Sequence, residues 1–182
     1  MLPHKFSAHT LNPEIQMNSI RPRMSPLLQN GDIFPELTVQ ALGGGRLSLP
    51  GDLAGSFGVV LFYRGSWCPY CVAQLSAFGR AEAALMELGI KVVALSADDE
   101  GAAATLAAKH NIAFPIGCGA DVDRVAASTG AYVNDQPRHL QSTGFVLDPA
   151  GKVLTAVYSS LAIGRLVADD VIGFVRYVRS HR

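Results

Sequence analysis

The chain has 182 residues, 49% of them apolar, with fifteen basic and fifteen acidic side chains and a formal net charge of zero. That supports one domain with a sizeable core and leaves little for a second; balanced charge without long runs gives no pull toward phosphates or anionic lipid, which argues against nucleic acid as a partner. No apolar run approaches the roughly 20 residues of a spanning helix, so no membrane partner and a soluble, cytoplasmic chain are expected; in a reducing cytosol three cysteines form no structural framework, and a close pair points to catalysis or metal rather than stapling.

Residues 1–30 mix Pro3, Pro13, Pro22 and Pro26 with Asn, Ser and His, and no helical or strand period survives across them. They read as an extended arm, either poorly ordered or packed on its own domain or on a dimer mate; 31–182 form the domain proper. Leu37 to Gln40 and Arg46 to Leu49 flank Gly43-Gly44-Gly45 and read as a hairpin closed by Pro50. A phosphate cradle would need those glycines to open a helix, and an alternating strand follows instead. Val59 to Tyr63 is a buried strand, and a helix with apolar positions Cys71, Leu75, Phe78, Ala81 and Leu85 runs on to Gly89. Lys91 to Ser96 is a second buried strand, and Asp98 or Asp99 caps a helix through Leu106 toward His110.

A short strand at Ala113 to Ile116 and a helix from Asp121 to Thr129 stopped by Gly130 come next. Phe145 to Leu147 and Val153 to Tyr158 flank the turn Asp148-Pro149-Ala150-Gly151 as an antiparallel hairpin. A closing helix near Asp169 to Val178 buries Val171, Phe174, Val175 and Val178, while Arg176, Arg179 and Arg182 form a solvated face. Strands joined through helices, then a hairpin and a last helix, predict an α/β architecture: a mixed sheet flanked by helices, with an N-terminal β-hairpin extension. A thioredoxin-like fold fits this order.

Trp67-Cys68-Pro69-Tyr70-Cys71 stands where the first buried strand hands over to a helix. Pro69 suits the first helical position, which puts Cys68 at or beside the N-cap, where partial positive charge and free N–H groups lower a thiol pKa. Cys68 is therefore the expected attacking sulfur. Cys71, one turn later, can close a disulfide with it and is read as the resolving sulfur. Arg64, at the strand exit, is a cation able to hold the thiolate, and Trp67 reads as an apolar lid and docking face. Thr143 is a weaker candidate for the opposite wall. Cys118, between two glycines, reads as an inert core or loop thiol, with a second resolving role as the alternative. A metal would need about four ligands, and beyond the pair the sequence offers Cys118, His110 and His139 without finger spacing. No cofactor is implied, because two sulfurs can carry both electrons.

The pieces 63–75 (YRGSWCPYCVAQL), 92–98 (VVALSAD), 114–116 (FPI) and 144–151 (GFVLDPAG) together resemble the peroxiredoxin-like branch of the alkyl hydroperoxide reductase and thiol-specific antioxidant family, over roughly 35–182. The resemblance implies a thioredoxin fold with extra N-terminal strands, peroxide or disulfide reduction at Cys68, and frequent dimers. Typical members carry a proline seven positions and a Thr or Ser three positions before the reactive cysteine, where this chain has Leu61 and Gly65. Their arginine just before the strand at Phe145 is replaced by Gln141-Ser142-Thr143, with Arg138 upstream. Cys-Pro-Tyr-Cys is typical of glutaredoxins and the preceding tryptophan of thioredoxins, yet the nearest candidate for the cis-proline of those families, Pro137, lies well before the strand.

Three functions follow. The first is a peroxidase cycling Cys68 and Cys71 between dithiol and disulfide, recharged by a thioredoxin- or glutathione-type electron donor. The second is a thiol-disulfide oxidoreductase acting on protein or glutathione disulfides. The third is a non-enzymatic redox sensor. The first two share their sulfurs and divide on whether Arg64 and the backbone at Ser66 and Trp67 form an oxygen-binding pocket.

Overall fold

The run from Phe57 to Phe62 contains no polar side chain to turn toward water, and it forms a strand, β3 (Phe57–Phe62), buried along its whole length. In the computed structural model, which describes residues 27–181, β3 lies inside a seven-stranded sheet. Its partners are β1 (Leu37–Ala41), β2 (Arg46–Leu49), β4 (Ile90–Leu95), β5 (Ile116–Cys118), β8 (Thr143–Leu147) and β9 (Val153–Tyr158), in the order β2-β1-β5-β4-β3-β8-β9. β3, β4 and β5 run parallel, and β1 and β8 pair antiparallel to β5 and β3. The sheet is therefore mixed.

Successive β3 residues point to opposite faces. Val59, Leu61 and Tyr63 pack with apolar residues of α1 (Pro69–Arg80), α2 (Glu82–Glu87), α3 (Glu100–His110) and α5 (Ala168–Ser180). Val60 and Phe62 pack with Phe34, Leu49, Phe145 and the buried face of α4 (Val122–Thr129). Both faces are covered, as the alternation of strands and helices requires. The N-terminal hairpin forms in the expected register, Leu37 opposite Leu49 and Val39 opposite Leu47. Residues 1–26 of the arm lie outside the described residues. Leu28, next to them, donates its backbone N–H to the Tyr158 hydroxyl at 2.8 Å.

Four details depart from the sequence reading. The long helix toward Gly89 breaks at Ala81, two residues after Gly79, the weakest helix former in the run, and continues as α2. The strand expected at Ala113 to Ile116 starts at Ile116, because Pro115 has no N–H to give a ladder; its carbonyl accepts from Ala94 instead. Cys118 is consequently a strand residue. An unexpected hairpin, β6 (Val133–Asp135) and β7 (Arg138–Leu140), forms in a polar segment whose Gln-Pro turn lacks the usual hairpin signal. Finally, Arg179, exposed as expected with Arg176, donates to the Leu88 carbonyl at 3.2 Å and ties α5 to the end of α2; Arg182 lies outside the described residues. Among the described residues, no helix is long and apolar enough to cross a membrane.

Candidate active site

The chain leaves β3 through Tyr63, whose N–H still pairs with Leu95, and then turns tightly. Gly65 makes that turn feasible: its φ is +154°, and a Cβ there would collide with the Trp67 indole and lie 3.0 Å from Asp98 Oδ1. The Asp98 carboxylate, at the exit of β4, accepts the Ser66 N–H at 2.7 Å, and the Gly65 carbonyl accepts the Cys68 N–H at 3.1 Å. Asp99, not Asp98, caps α3, through the Ala102 N–H at 2.8 Å. These bonds set Cys68 at the N-cap of α1 with extended backbone (φ −90°, ψ 111°) and Pro69 at the first helical position.

Two guanidinium groups converge on the sulfurs. Arg64 donates its backbone N–H to Cys71 Sγ at 3.3 Å and places Nη1 at 3.9 Å from Cys68 Sγ. Arg165 reaches in from the loop between β9 and α5, with Nη2 at 3.6 Å from Cys71 Sγ and 4.0 Å from Cys68 Sγ. Its direction is fixed by the Ala162 carbonyl (2.6 Å), the Ser142 hydroxyl (2.8 Å) and Gln74 Oε1 (3.0 Å). Gln74, buried on α1, also donates to the Leu166 carbonyl at 3.0 Å, so helix and loop lock together. Among the described residues, neither arginine pairs with a carboxylate.

The electrostatics divide the two sulfurs. Burial alone would raise the Cys68 thiol, but hydrogen bonds from the Cys71 thiol and backbone N–H, with the Arg165 and Arg64 charges, outweigh it and hold Cys68 below the ordinary thiol range. Cys71 moves up, first through burial and then because its proton is shared toward Cys68; the Arg64 N–H and Arg165 oppose this only in part. Cys68 is thereby the more acidic of the two sulfurs and Cys71 the less acidic. Cys68 is 1% exposed and Cys71 is fully buried, while Trp67 and Tyr70 beside them stand out into solvent.

Of the sequence candidates, Cys68, Cys71, Arg64 and Pro69 come together at this point. Trp67 adjoins them, its ring 4.9 Å from the Arg64 guanidinium carbon and edge-on to His139 at 5.1 Å between centroids. Cys118 lies apart, buried at the end of β5, its thiol donating to the Gln40 carbonyl at 3.7 Å; burial pushes it up. Thr143 is buried opposite Phe62 and donates to the Gln141 carbonyl at 3.3 Å. Arg138 does not turn to the sulfurs; it pairs with Asp123 and Asp135 on the surface. The Gln136–Pro137 bond is cis, and the Pro137 carbonyl meets His139 Nδ1 at 2.7 Å. Among the described residues, no group of three or more metal-ligating side chains assembles.

Sequence reasoning passed over Arg165, Gln74, Asp98 and His139 as members of the site. Arg165 is 97 positions from Cys68 and carries no local motif. Gln74 left a faint signal, a polar side chain breaking an otherwise apolar helix stripe, as it does when it must serve a buried partner.

The residues from 30 to 156 match the model of the AhpC/TSA family. A peroxiredoxin of Chlorobaculum tepidum is 32% identical over 160 residues, covering 85% of this chain and 73% of that protein. The thiol-disulfide oxidoreductase ResA of Bacillus cereus is 27% identical, over 83% of this chain and 79% of its own. In fold, the chain is similar to the crystal structure of the peroxidoxin BcpB from Mycobacterium tuberculosis, with a TM-score of 0.72 at 21% identity over 84% of this chain and 99% of that one. The mixed sheet, the cysteine at the head of its first long helix and the family match over most of the length agree: this chain is a thioredoxin-fold redoxin and belongs to the AhpC/TSA family.

Proposed function

We propose that the chain is a thiol-dependent peroxidase of peroxiredoxin type in which Cys68 attacks and Cys71 resolves. The observation that carries this reading is the Cys68 sulfur, set at a helix N-terminus, hydrogen-bonded by Cys71 and faced by two guanidinium groups that pair with no carboxylate among the described residues. The Cys68 thiolate attacks one peroxide oxygen; the S–O bond forms as the O–O bond breaks, and the departing oxyanion is stabilised by Arg64 and Arg165 and leaves on protonation as water or an alcohol. The Cys71 thiol then condenses with the sulfenic acid, forming the disulfide and releasing water. An external dithiol restores both thiols, with a thioredoxin- or glutathione-type donor as the proposed source.

The family match and the peroxiredoxin-named relatives support peroxide as the electrophile. Thiol-disulfide exchange is the second reading, supported by the closely spaced pair and the ResA-named relatives. The Ser66 N–H is committed to Asp98, so in the first reading the guanidinium groups, rather than that backbone donor, serve the peroxide. A cytoplasmic setting, a homodimer and the division into an arm at 1–30 and a domain at 31–182 complete the proposal.

The test is trapping. Reduced Cys71→Ser protein, treated with one equivalent of hydrogen peroxide in the presence of a sulfenic-acid reagent, is expected to carry one adduct, at Cys68, by peptide mass spectrometry. An unmodified Cys68 would remove it from the role of attacking sulfur.

A further inference from the structure

The two arginines are held in different ways. Arg165 is fixed by three acceptors in its own loop, on α1 and beside β8. Among the described residues, the Arg64 guanidinium has, besides Cys68 Sγ, one side-chain acceptor, His139 Nε2, which takes its Nε–H at 3.3 Å. His139 is 4% exposed and comes from β7, a short strand outside the main sheet. Its tautomer follows from its other contact: a carbonyl can only accept, so the 2.7 Å approach of Nδ1 to Pro137 O puts the proton on Nδ1. Nε2 is then a lone pair, and it faces Arg64. The Trp67 ring closes the remaining side, against both His139 and the guanidinium.

Resting on the peroxidase reading of Cys68, we infer that His139 is a positioning residue for that reaction: its neutral ring holds Arg64 at the Cys68 sulfur, and a second proton on the ring releases it. An imidazolium has no lone pair, so its Nε2–H would confront a guanidinium N–H, like charge against like charge. Arg64 would then leave the sulfur it approaches at 3.9 Å. The charged groups around the ring are consistent with this role. Arg64 faces it from the β3 exit, and Arg138, its neighbour in β7, turns away to Asp123 of α4 and Asp135 of β6. Asp98, across the turn, is engaged with the Ser66 N–H. Burial works against the second proton, the bond to the Pro137 carbonyl favours it, and the Arg64 charge opposes it; the ring titrates below the ordinary imidazole range. Coupling to the sulfur is therefore intact at neutral pH and is lost in acid.

Two substitutions separate the two nitrogens. His139→Asn retains a donor for Pro137 at the Nδ1 position and removes the acceptor for Arg64, whereas His139→Gln places an amide oxygen where Nε2 stood. The readout is the rate of Cys68 alkylation by iodoacetamide in the fully reduced chain, which needs no peroxide and so stays informative if the peroxidase reading fails. At pH 7.5, H139N is expected to slow alkylation by roughly three- to tenfold and H139Q to stay near wild type. In an Arg64→Gln background, H139N should add nothing, because its effect runs through Arg64. The ratio of wild-type to H139Q rates should fall as pH drops through the His139 titration. An equal loss with and without Arg64, or an unchanged rate in folded H139N, overturns the inference. Should H139N fail to fold, the H139Q comparison decides alone, and a ratio that stays constant across pH overturns it.

Discussion

The turn from Arg64 to Cys71 and the loop from Ser159 to Val167 face each other across the same two sulfurs and are built on opposite principles. The turn is local. Its geometry comes from Gly65, from the Asp98 carboxylate on the Ser66 N–H and from Pro69 opening α1. The loop has no regular structure; it is held by the Ser159 hydroxyl, which accepts the Leu161 N–H at 3.3 Å, and by the bonds from Gln74 and to Ser142. The turn supplies both sulfurs and one guanidinium, Arg64, and the loop supplies the second, Arg165. The comparison teaches that a short motif can place a cysteine pair and one cation while leaving the second cation to a segment far away in sequence.

Removing the sulfur tests the turn and has the largest expected effect. Cys68→Ser should abolish peroxide-dependent thiol loss, whereas Cys71→Ser should retain the first oxidation and lose the disulfide, as read by thiol titration after one turnover. Next in size is the charge. Arg165→Gln should slow peroxide oxidation of Cys68 by roughly ten- to a hundredfold, with Arg64→Gln comparable. The alkylation profile against pH checks the cause: in the wild type, Cys68 reactivity should rise with pH and level off below the ordinary thiol range, because only the thiolate attacks, and each substitution should move the rise to higher pH. If Arg165→Gln leaves both rate and profile unchanged, the loop contributes no charge to the reaction.

A smaller effect is expected where the loop rests on the sheet. A Cβ at Gly144, on β8, would stand 2.7 Å from Leu166 Cδ1 and 2.8 Å from Leu166 Cγ, next to Arg165. Gly144→Ala should cost about 1–3 kcal/mol in urea unfolding and slow Cys68 by less than Arg165→Gln does. The smallest effect belongs to the third thiol. Cys118→Ser should leave the rate of peroxide reduction unchanged, since Cys118 lies buried at the end of β5 and donates to the Gln40 carbonyl; a fall in turnover would reopen a resolving role for it.

The sheet, the N-terminal hairpin and the Cys68-Pro69 helix start were legible because each is written in neighbouring residues: alternating or continuous apolar runs, a glycine turn, a proline at the first helical position. The break at Ala81 was not, since the run around it consists largely of good helix formers and Gly79 is its one weak point. Arg138, closest in sequence to the place where the family resemblance leads to the expectation of an arginine, turned outward to two aspartates, while Arg165 came from the far end of the chain. His139 left no motif either, because its partners Arg64, Trp67 and Pro137 belong to two separate segments. Of the two charges at the sulfurs, Arg64 was legible beside the motif, whereas Arg165 is placed by tertiary structure alone.

The most direct test is a stopped-flow mix of fully reduced protein with hydrogen peroxide, followed through the single tryptophan, Trp67, beside the dithiol, with free thiols counted at the end. The account predicts a fast, Cys68-dependent signal and the loss of two of the three thiols. A reaction no faster than that of an ordinary free thiol, in protein that rapidly reduces a disulfide substrate, would contradict it and make disulfide exchange the activity of this site.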